Sequence, residues 1–288
     1  MMLGARIKIA FFGNSGFSLI VLKELKKNGV VPELIVTTLD KPQGRKMVLA
    51  PTLTKIWAEE NSIECIEPTK LSDENFLKKI KNYNLFIVAS YGKIIPKVII
   101  DIPKYKVLNI HPSLLPKYRG PSPLQEQILN DEKEIGVSVM LIDEQVDHGA
   151  IVAQKMVAAT GWPVGFITLQ ETLAKEGSKL LVEILPDWVK GKIKAVVQND
   201  NKATLTKKIK KQDGFLDLSE DSYKNYLKTL AFEEWPKTYF EIDKKGQKIR
   251  VIIKKAIWKD NALEILSVIP EGKKEMNYSD FLKGYKKL

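Results

Sequence analysis

Ile7-Lys8-Ile9-Ala10-Phe11-Phe12-Gly13-Asn14-Ser15-Gly16-Phe17-Ser18 is the stretch on which the fold turns. Ile7 to Phe12 is an apolar run of strand length closed by a glycine, the pattern of a strand buried on both faces of a sheet. Ser18 reads as the cap of a helix running to about Asn28, with Leu19, Leu22 and Leu25 on one face and Gly29 as the stop. The turn is G-x-x-G, not the G-x-G-x-x-G of dinucleotide sites, and no phosphate-binding G-x-x-x-x-G-K-[ST] occurs, so Gly13 is expected only to let the chain turn.

The same rhythm continues outward. Leu34 to Thr37, Glu64 to Ile66, Leu85 to Ala89 and Val107 to Ile110 read as strands, and Thr52–Glu60 and Asp73–Lys81 as helices, with a loop from Thr38 to Pro51. Strands alternating with helices predict an α/β fold, a doubly wound, Rossmann-like and mostly parallel sheet. Gly136 to Ile142 and Ile151 to Val157 then predict an antiparallel pair across the Asp143–Gly149 turn, followed by one long amphipathic helix, Thr168–Lys190. A polar linker is expected over 191–205. Beyond it, Thr238 to Ile242, Ile249 to Ala256 and Leu263 to Val268 surround a helix near Tyr223 to Leu230. Short strands with one helix suggest a small OB-like β-barrel domain. The expected organisation is therefore a main domain over 1–190, a linker over 191–205 and a small domain over 206–288.

Composition narrows the function. The 288 residues are 44% hydrophobic and 28% charged, ordinary for a soluble protein, and no apolar run approaches the roughly 20 residues of a bilayer span. No signal peptide is readable, so a cytoplasmic protein without membrane contact is expected. The single cysteine, Cys65, allows no internal disulfide and no multi-thiolate zinc site, and reads as a small buried strand residue. The net charge of +11 is uneven: residues 201–288 hold 20 basic against 13 acidic side chains, +7 of the total. A basic tail on a near-neutral body suits a polyanion partner, although a lysine-solvated surface would look the same.

Chemistry concentrates in Leu108-Asn109-Ile110-His111-Pro112-Ser113-Leu114-Leu115-Pro116-Lys117-Tyr118-Arg119-Gly120. Asn109 and His111 alternate at a strand end and share one side of the sheet, where open α/β sheets bind ligands. The chain has only two histidines. Asp143-Glu144-Gln145-Val146-Asp147-His148-Gly149 is a carboxylate-rich turn downstream. An amide, an imidazole and a carboxylate gathered together would polarise a carbonyl, hold an oxyanion and move a proton. A buried histidine with a backbone partner and a solvated hairpin would account for the same residues separately.

Asn109-Ile110-His111-Pro112-Ser113-Leu114-Leu115-Pro116 followed by Asp143-x-x-x-Asp147-x-Gly149 resembles the signature of the folate-dependent formyltransferases. Phe11-Phe12-Gly13, Asp40-Lys41-Pro42-Gln43-Gly44-Arg45, Ala89-Ser90-Tyr91-Gly92-Lys93-Ile94-Ile95-Pro96, Tyr118-Arg119-Gly120, Asp213-Gly214-Phe215-Leu216-Asp217, Trp235-Pro236 and Pro270-Glu271-Gly272-Lys273-Lys274 extend the likeness over nearly the whole chain. Within the superfamily it is greatest to the methionyl-tRNA formyltransferase family.

The resemblance implies formyl transfer from 10-formyltetrahydrofolate, as co-substrate and without a metal, to the α-amine of initiator methionyl-tRNA. Asn109 would donate to the formyl oxygen, His111 would stabilise the oxyanion and assist proton transfer, and Asp147 would orient His111 and take the ammonium proton. Ser113, Leu114, Leu115 and Pro116, with Tyr91, Gly92 and Ile94, would surround the folate, and the turn starting at Asp143 would close over the pterin. His148 falls outside this set. Arg45 and Lys46 in the Thr38–Pro51 loop, and Lys207, Lys208, Lys210 and Lys211 in the tail, would contact tRNA. The chain departs from the family pattern at Met47-Val48-Leu49, where basic residues are common, and at Asn14-Ser15. A monomer is expected. Two other functions use the same residues: formylation of an amino sugar on a nucleotide, which needs neither the basic tail nor the Gly44-Arg45-Lys46 loop, and RNA binding by a decayed enzyme domain, which has no need of all three site residues.

Overall fold

The computed structural model describes residues 7–43, 48–244 and 246–285. In chain order the elements are β1 (Ile9–Phe12), α1 (Gly16–Lys27), β2 (Leu34–Val36), β3 (Lys41–Gln43), β4 (Val48–Ala50), α2 (Leu53–Glu60), β5 (Glu64–Ile66), α3 (Glu74–Ile80), β6 (Leu85–Val88), α4 (Lys97–Ile100), β7 (Val107–His111), α5 (Pro123–Leu129), β8 (Gly136–Leu141), β9 (Ile151–Met156), α6 (Phe166–Val189), α7 (Ser222–Ala231), β10 (Tyr239–Lys244), β11 (Gln247–Lys259), β12 (Ala262–Pro270), β13 (Met276–Asn277) and α8 (Tyr278–Tyr285). They group into two compact units, one over 1–121, 134–158 and 170–205, the other over 122–133, 159–169 and 206–288.

In the first unit the described strands form a seven-stranded sheet ordered β5-β2-β1-β6-β7-β8-β9. The five strands from β5 to β7 are parallel, and β8 and β9 add an antiparallel edge. This is the predicted α/β sheet, dominated by parallel strands. β2 lies to one side of β1 and β6 to the other, so the winding reverses at β1, the place at which open α/β sheets bind ligands at the carboxyl ends of the strands. The register sets Phe12 beside Val88 and Val88 beside Asn109, so three strand ends fall level with one another.

The two faces of this sheet are filled differently. Ala10, Phe12, Phe86, Val88 and Val107 pack with Phe76, Ile80 and Ile99 from α3 and α4. Asn109 and His111 follow Val107 at two-residue steps and share that face. Ile110 points the other way, toward α6, where a Cβ on Gly177 would come within 2.5 Å of Ile110 Cγ2 and 2.8 Å of Val137 Cγ2. A glycine there lets the helix backbone close directly on the strand that carries the site.

Several local expectations change. The first helix begins at Gly16, and its cap is Ser15, whose Oγ accepts from Ser18 N at 3.2 Å while Ser18 Oγ accepts from Ser15 N at 3.1 Å. Ser18 is the far half of a capping box. Gly13 is required for space: an added Cβ would lie 2.7 Å from the Ser18 side chain. Cys65 is half-buried, and burial pushes its thiol up to about 11. The expected Thr38–Pro51 loop contains a hairpin in which Pro42 pairs with Leu49, while Arg45 and Lys46 lie outside the described residues. The stretch expected as a linker, 191–205, packs along the first unit: Val196 bridges Ile151, and Leu205 bridges Arg119.

In the second unit β10-β11-β12-β13 form an antiparallel sheet among the described residues. Its core is Leu216, Phe240, Val251, Ile253, Val268 and Phe281. Tyr223 and Tyr226 of α7 sit against Trp258 of β11 at ring distances of 5.0 and 5.7 Å. The short helices α4 and α5 and the terminal α8 are not among the helices expected from the sequence.

Replacing Gly177 by Ala sets helix propensity, worth about 1 kcal/mol, against a clash with two stiff β-branched side chains. Overpacking of this kind costs about 1–3 kcal/mol. Gly177→Ala is therefore expected to lose about 1 kcal/mol net, read as a lower denaturant midpoint at unchanged slope.

Candidate active site

β7 ends in His111, which is 4% exposed, and Asn109 two residues earlier is 8% exposed. Beyond the strand the chain turns sharply and is held from below by Ser138 of β8. Ser138 Oγ donates to the Ser113 carbonyl at 2.6 Å and accepts from Leu115 N at 3.1 Å, and Gln154 Nε2 reaches both Ser138 Oγ (2.8 Å) and the Leu115 carbonyl (2.7 Å). Ser113 spends its own hydroxyl on the Lys117 carbonyl at 2.7 Å. This loop returns Tyr118 to His111, whose Nε2 lies 3.0 Å from the Tyr118 carbonyl oxygen. A carbonyl only accepts, so Nε2 carries the hydrogen and Nδ1 of the neutral ring is left with its lone pair.

That lone pair faces Asp147, whose Oδ1 is 3.6 Å from Nδ1. The other oxygen, Oδ2, accepts from Gly120 N at 2.8 Å. In the neutral ring these are two acceptors, an imine nitrogen and a carboxylate oxygen, facing one another across a gap that a proton or an incoming N–H would complete. The carboxamide of Asn109 makes no hydrogen bond among the described residues and shares the strand side of His111. The arrangement can accept a proton and donate to an oxygen at one strand end.

Asp147 adopts φ +50°, the left-handed region. Two residues on, a Cβ at Gly149 would lie 2.0 Å from the Leu141 carbonyl oxygen, so the turn closes on β8 only with glycine there. Gln198 Nε2 donates to the Asp147 carbonyl at 2.9 Å and to the Gly149 carbonyl at 2.8 Å, while Gln198 Oε1 accepts from Arg119 Nε at 2.9 Å. Arg119, 6% exposed, also pairs with Asp200 through Nη2 at 2.8 Å, and this guanidinium lowers the Asp200 pKa. Thr204 completes the wall, its Oγ1 accepting from Tyr118 N at 2.7 Å. Arg119, Gln198, Asp200, Thr204 and Ser138 were missed from the sequence: apart from the Tyr-Arg-Gly run they carry no local pattern, and the strip 198–205 reads only as polar chain.

The structure gathers Asn109, His111 and Asp147 at one strand end. Asp143 joins them indirectly, with Oδ2 2.6 Å from Nδ1 of His148. The residues expected around a folate divide. Ser113, Leu115 and Tyr91 are 0%, 3% and 2% exposed, and Tyr91 lies edge-on to Phe12 at 5.5 Å in the core. Desolvation there raises the Tyr91 phenol to about 12. Their backbones are engaged as well, Ser113 N by the His111 carbonyl, the Ser113 carbonyl and Leu115 N by Ser138, the Leu115 carbonyl by Gln154 and the Tyr91 carbonyl by Asn14 Nδ2 at 2.9 Å, so these residues hold the loops. Leu114 packs on Gly136, and Pro116 is half-buried. Gly92, at φ +74°, and Ile94, 73% exposed, lie on the loop after β6. Lys207, Lys208, Lys210 and Lys211 belong to the second unit and are exposed.

Residues 6–185, which hold this sheet and the cluster at its strand end, match the formyl transferase family. A methionyl-tRNA formyltransferase of Thermodesulfovibrio yellowstonii is 36% identical over 96% of this chain and 96% of its own. The solved methionyl-tRNA formyltransferase from Clostridium thermocellum superposes with TM-score 0.60 at 17% identity, covering 94% of this chain and all of that one. The N-formyltransferase from Helicobacter canadensis, solved with folinic acid and dTDP-3-aminofucose, superposes with TM-score 0.61 at 18% identity over 88% of this chain and 89% of that chain, a likeness of fold. The chain belongs to the methionyl-tRNA formyltransferase family.

Ser138→Ala removes one hydroxyl and leaves a buried N–H and a buried carbonyl short of partners, each worth about 1 kcal/mol or more. We expect about 2 kcal/mol lower unfolding free energy; a variant as stable as the parent in urea would show that Ser138 does not hold this loop.

Proposed function

We propose that the chain moves the formyl group of 10-formyltetrahydrofolate onto the α-amine of initiator methionyl-tRNA, through Asn109, His111 and Asp147. One observation carries this reading: the Tyr118 carbonyl commits His111 Nε2–H, so that Nδ1 and the Asp147 carboxylate form a proton-accepting pair beside the uncommitted Asn109 amide. The amine must be neutral to attack. Its proton passes to the His111–Asp147 pair as the new C–N bond forms, and the carbonyl oxygen becomes an oxyanion to which Asn109 Nδ2 donates. The proton then goes to the departing folate nitrogen as the old C–N bond breaks, so the enzyme ends as it began. A single oxyanion donor of this kind contributes about 3–4 kcal/mol.

The folate is read as lying against the backbone of Ser113–Pro116 and of the Tyr91–Ile94 loop, with Ile94 offering apolar surface and the turn at Asp143 closing over the pterin. For tRNA, Arg45 and Lys46 are assigned to the acceptor end. The second unit, whose sheet is read as OB-like, is assigned to the phosphate backbone through Lys207, Lys208, Lys210 and Lys211. The protein is read as a cytoplasmic monomer; among the described residues no helix is long and apolar enough to cross a membrane. Transfer to an amino-sugar nucleotide would use the same triad but gives the +7 tail nothing to do.

The deciding experiment offers 10-formyltetrahydrofolate with charged initiator tRNA or with a panel of amino-sugar nucleotides; formylation confined to the sugars would reverse the assignment. Asn109→Ala should cut turnover about a hundredfold with tRNA affinity retained, and near-normal turnover would remove Asn109 from the reaction. If the four tail lysines each release a phosphate counterion, log Kd for tRNA should rise with log salt at a slope of about 3. A flat response would take recognition away from the tail.

A further inference from the structure

His148 follows the triad aspartate yet turns away from it. Nδ1 lies 2.6 Å from Asp143 Oδ2, at the other end of the same turn, and Nε2 lies 3.6 Å from Asp200 Oδ2. Asp200 is held in turn by Arg119, and Arg119 by Gln198, which grips the carbonyls of Asp147 and Gly149. The contacts close a ring: Asp143, His148, Asp200, Arg119, Gln198 and back to the turn. All five residues belong to the first unit. Both imidazole nitrogens face carboxylates, which only accept, so both contacts are attractive only when both nitrogens carry hydrogen.

We propose that protonated His148 is a positioning residue, a charge-dependent latch that ties the Asp143–Gly149 turn to the strip around Asp200 and so holds Asp147 at its distance from His111. The inference rests on the reading of Asp147 as a working group in formyl transfer. The charged groups facing His148 are Asp143 on its own turn and Asp200 and Arg119 from the segments packed against it. Of these, the Asp143 hydrogen bond does most to hold the imidazolium above its ordinary pKa, Asp200 adds to it, and Arg119 opposes it. A base whose pKa rises on folding is charged, and the latch closed, at low pH; the contribution is lost as pH climbs through the folded value. A neutral ring keeps one N–H and turns a lone pair on the other carboxylate, and one contact opens.

Formyl transfer then has two pH limbs. Deprotonation of the amine raises the rate with pH, and loss of the His148 proton lowers it again. With only two histidines in the chain, both imidazoles can be followed individually by NMR titration. In Asp200→Asn, with the carboxylate gone from a side chain 65% exposed, the His148 midpoint should move down. In His148→Gln the alkaline fall of kcat should vanish, with kcat about tenfold lower at the optimum. If His148→Gln does not fold, Asp200→Asn should carry the alkaline limb to lower pH instead. A His148 midpoint unmoved by Asp200→Asn, or an alkaline limb at the same pH in the variants as in the parent, overturns the latch. The titration needs no substrate, so it judges the latch even if transfer to methionyl-tRNA were disproved, whereas Asn109→Ala judges that transfer without touching the latch.

Discussion

The hydrogen bond from His111 Nε2 to the Tyr118 carbonyl is the contact on which the site depends. It chooses the tautomer. With that N–H committed, the only free electron pair of the ring points at Asp147. Rotate the ring or lose the carbonyl, and the neutral imidazole could offer Asp147 its hydrogen, which would move the lone pair to the other nitrogen, away from Asp147. Much of the surrounding structure serves this one acceptor: Ser138 and Gln154 shape the loop from Ser113, and Thr204 pins Tyr118, which sits at φ +62°.

The second constraint is space. A helix, a turn and a strand come closer together around β7 and β8 than side chains allow, and glycines absorb the difference at Gly177 and Gly149. On one face α6 presses on Ile110; at the end of β8 the turn carrying Asp147 lies against the Leu141 carbonyl. Asn109 and His111 are therefore presented from a strand with little freedom to shift, and Asp147 from a turn whose exit is fixed within a fraction of an ångström. Preorganisation of this kind is what the stabilisation of charge in a transition state asks of its donors.

Buried charge supplies the third element. Arg119 is almost fully enclosed and would be costly alone, but Asp200 and Gln198 satisfy it, and Gln198 passes its orientation to the turn. Polar residues that look like a solvated connection between domains are in this way part of the wall of the site. Their value lies in position, since Asp200 itself is well exposed.

How much of this was legible follows from the range of each interaction. The parallel strands, the long helix and the strand end bearing Asn109 and His111 are written in local periodicity, because burying a strand or a helix face demands apolar residues at fixed steps. The Asp147-x-Gly149 spacing was read from the resemblance to the formyltransferases; that Gly149 is needed where the turn meets Leu141 came only from the packing. The cap at Ser15, the half-burial of Cys65 and the hairpin inside 38–51 were settled by neighbours that local patterns do not mention. The tautomer of His111, the inward turn of Tyr91, Ser113 and Leu115, and the recruitment of 191–205 depend on contacts between residues well separated in the chain, 86 positions in the case of Tyr118 and Thr204. A chain written in order records which side chains alternate. Only the folded packing decides which of them meet, because a hydrogen bond is set by distance in space, and the sequence carries no measure of that.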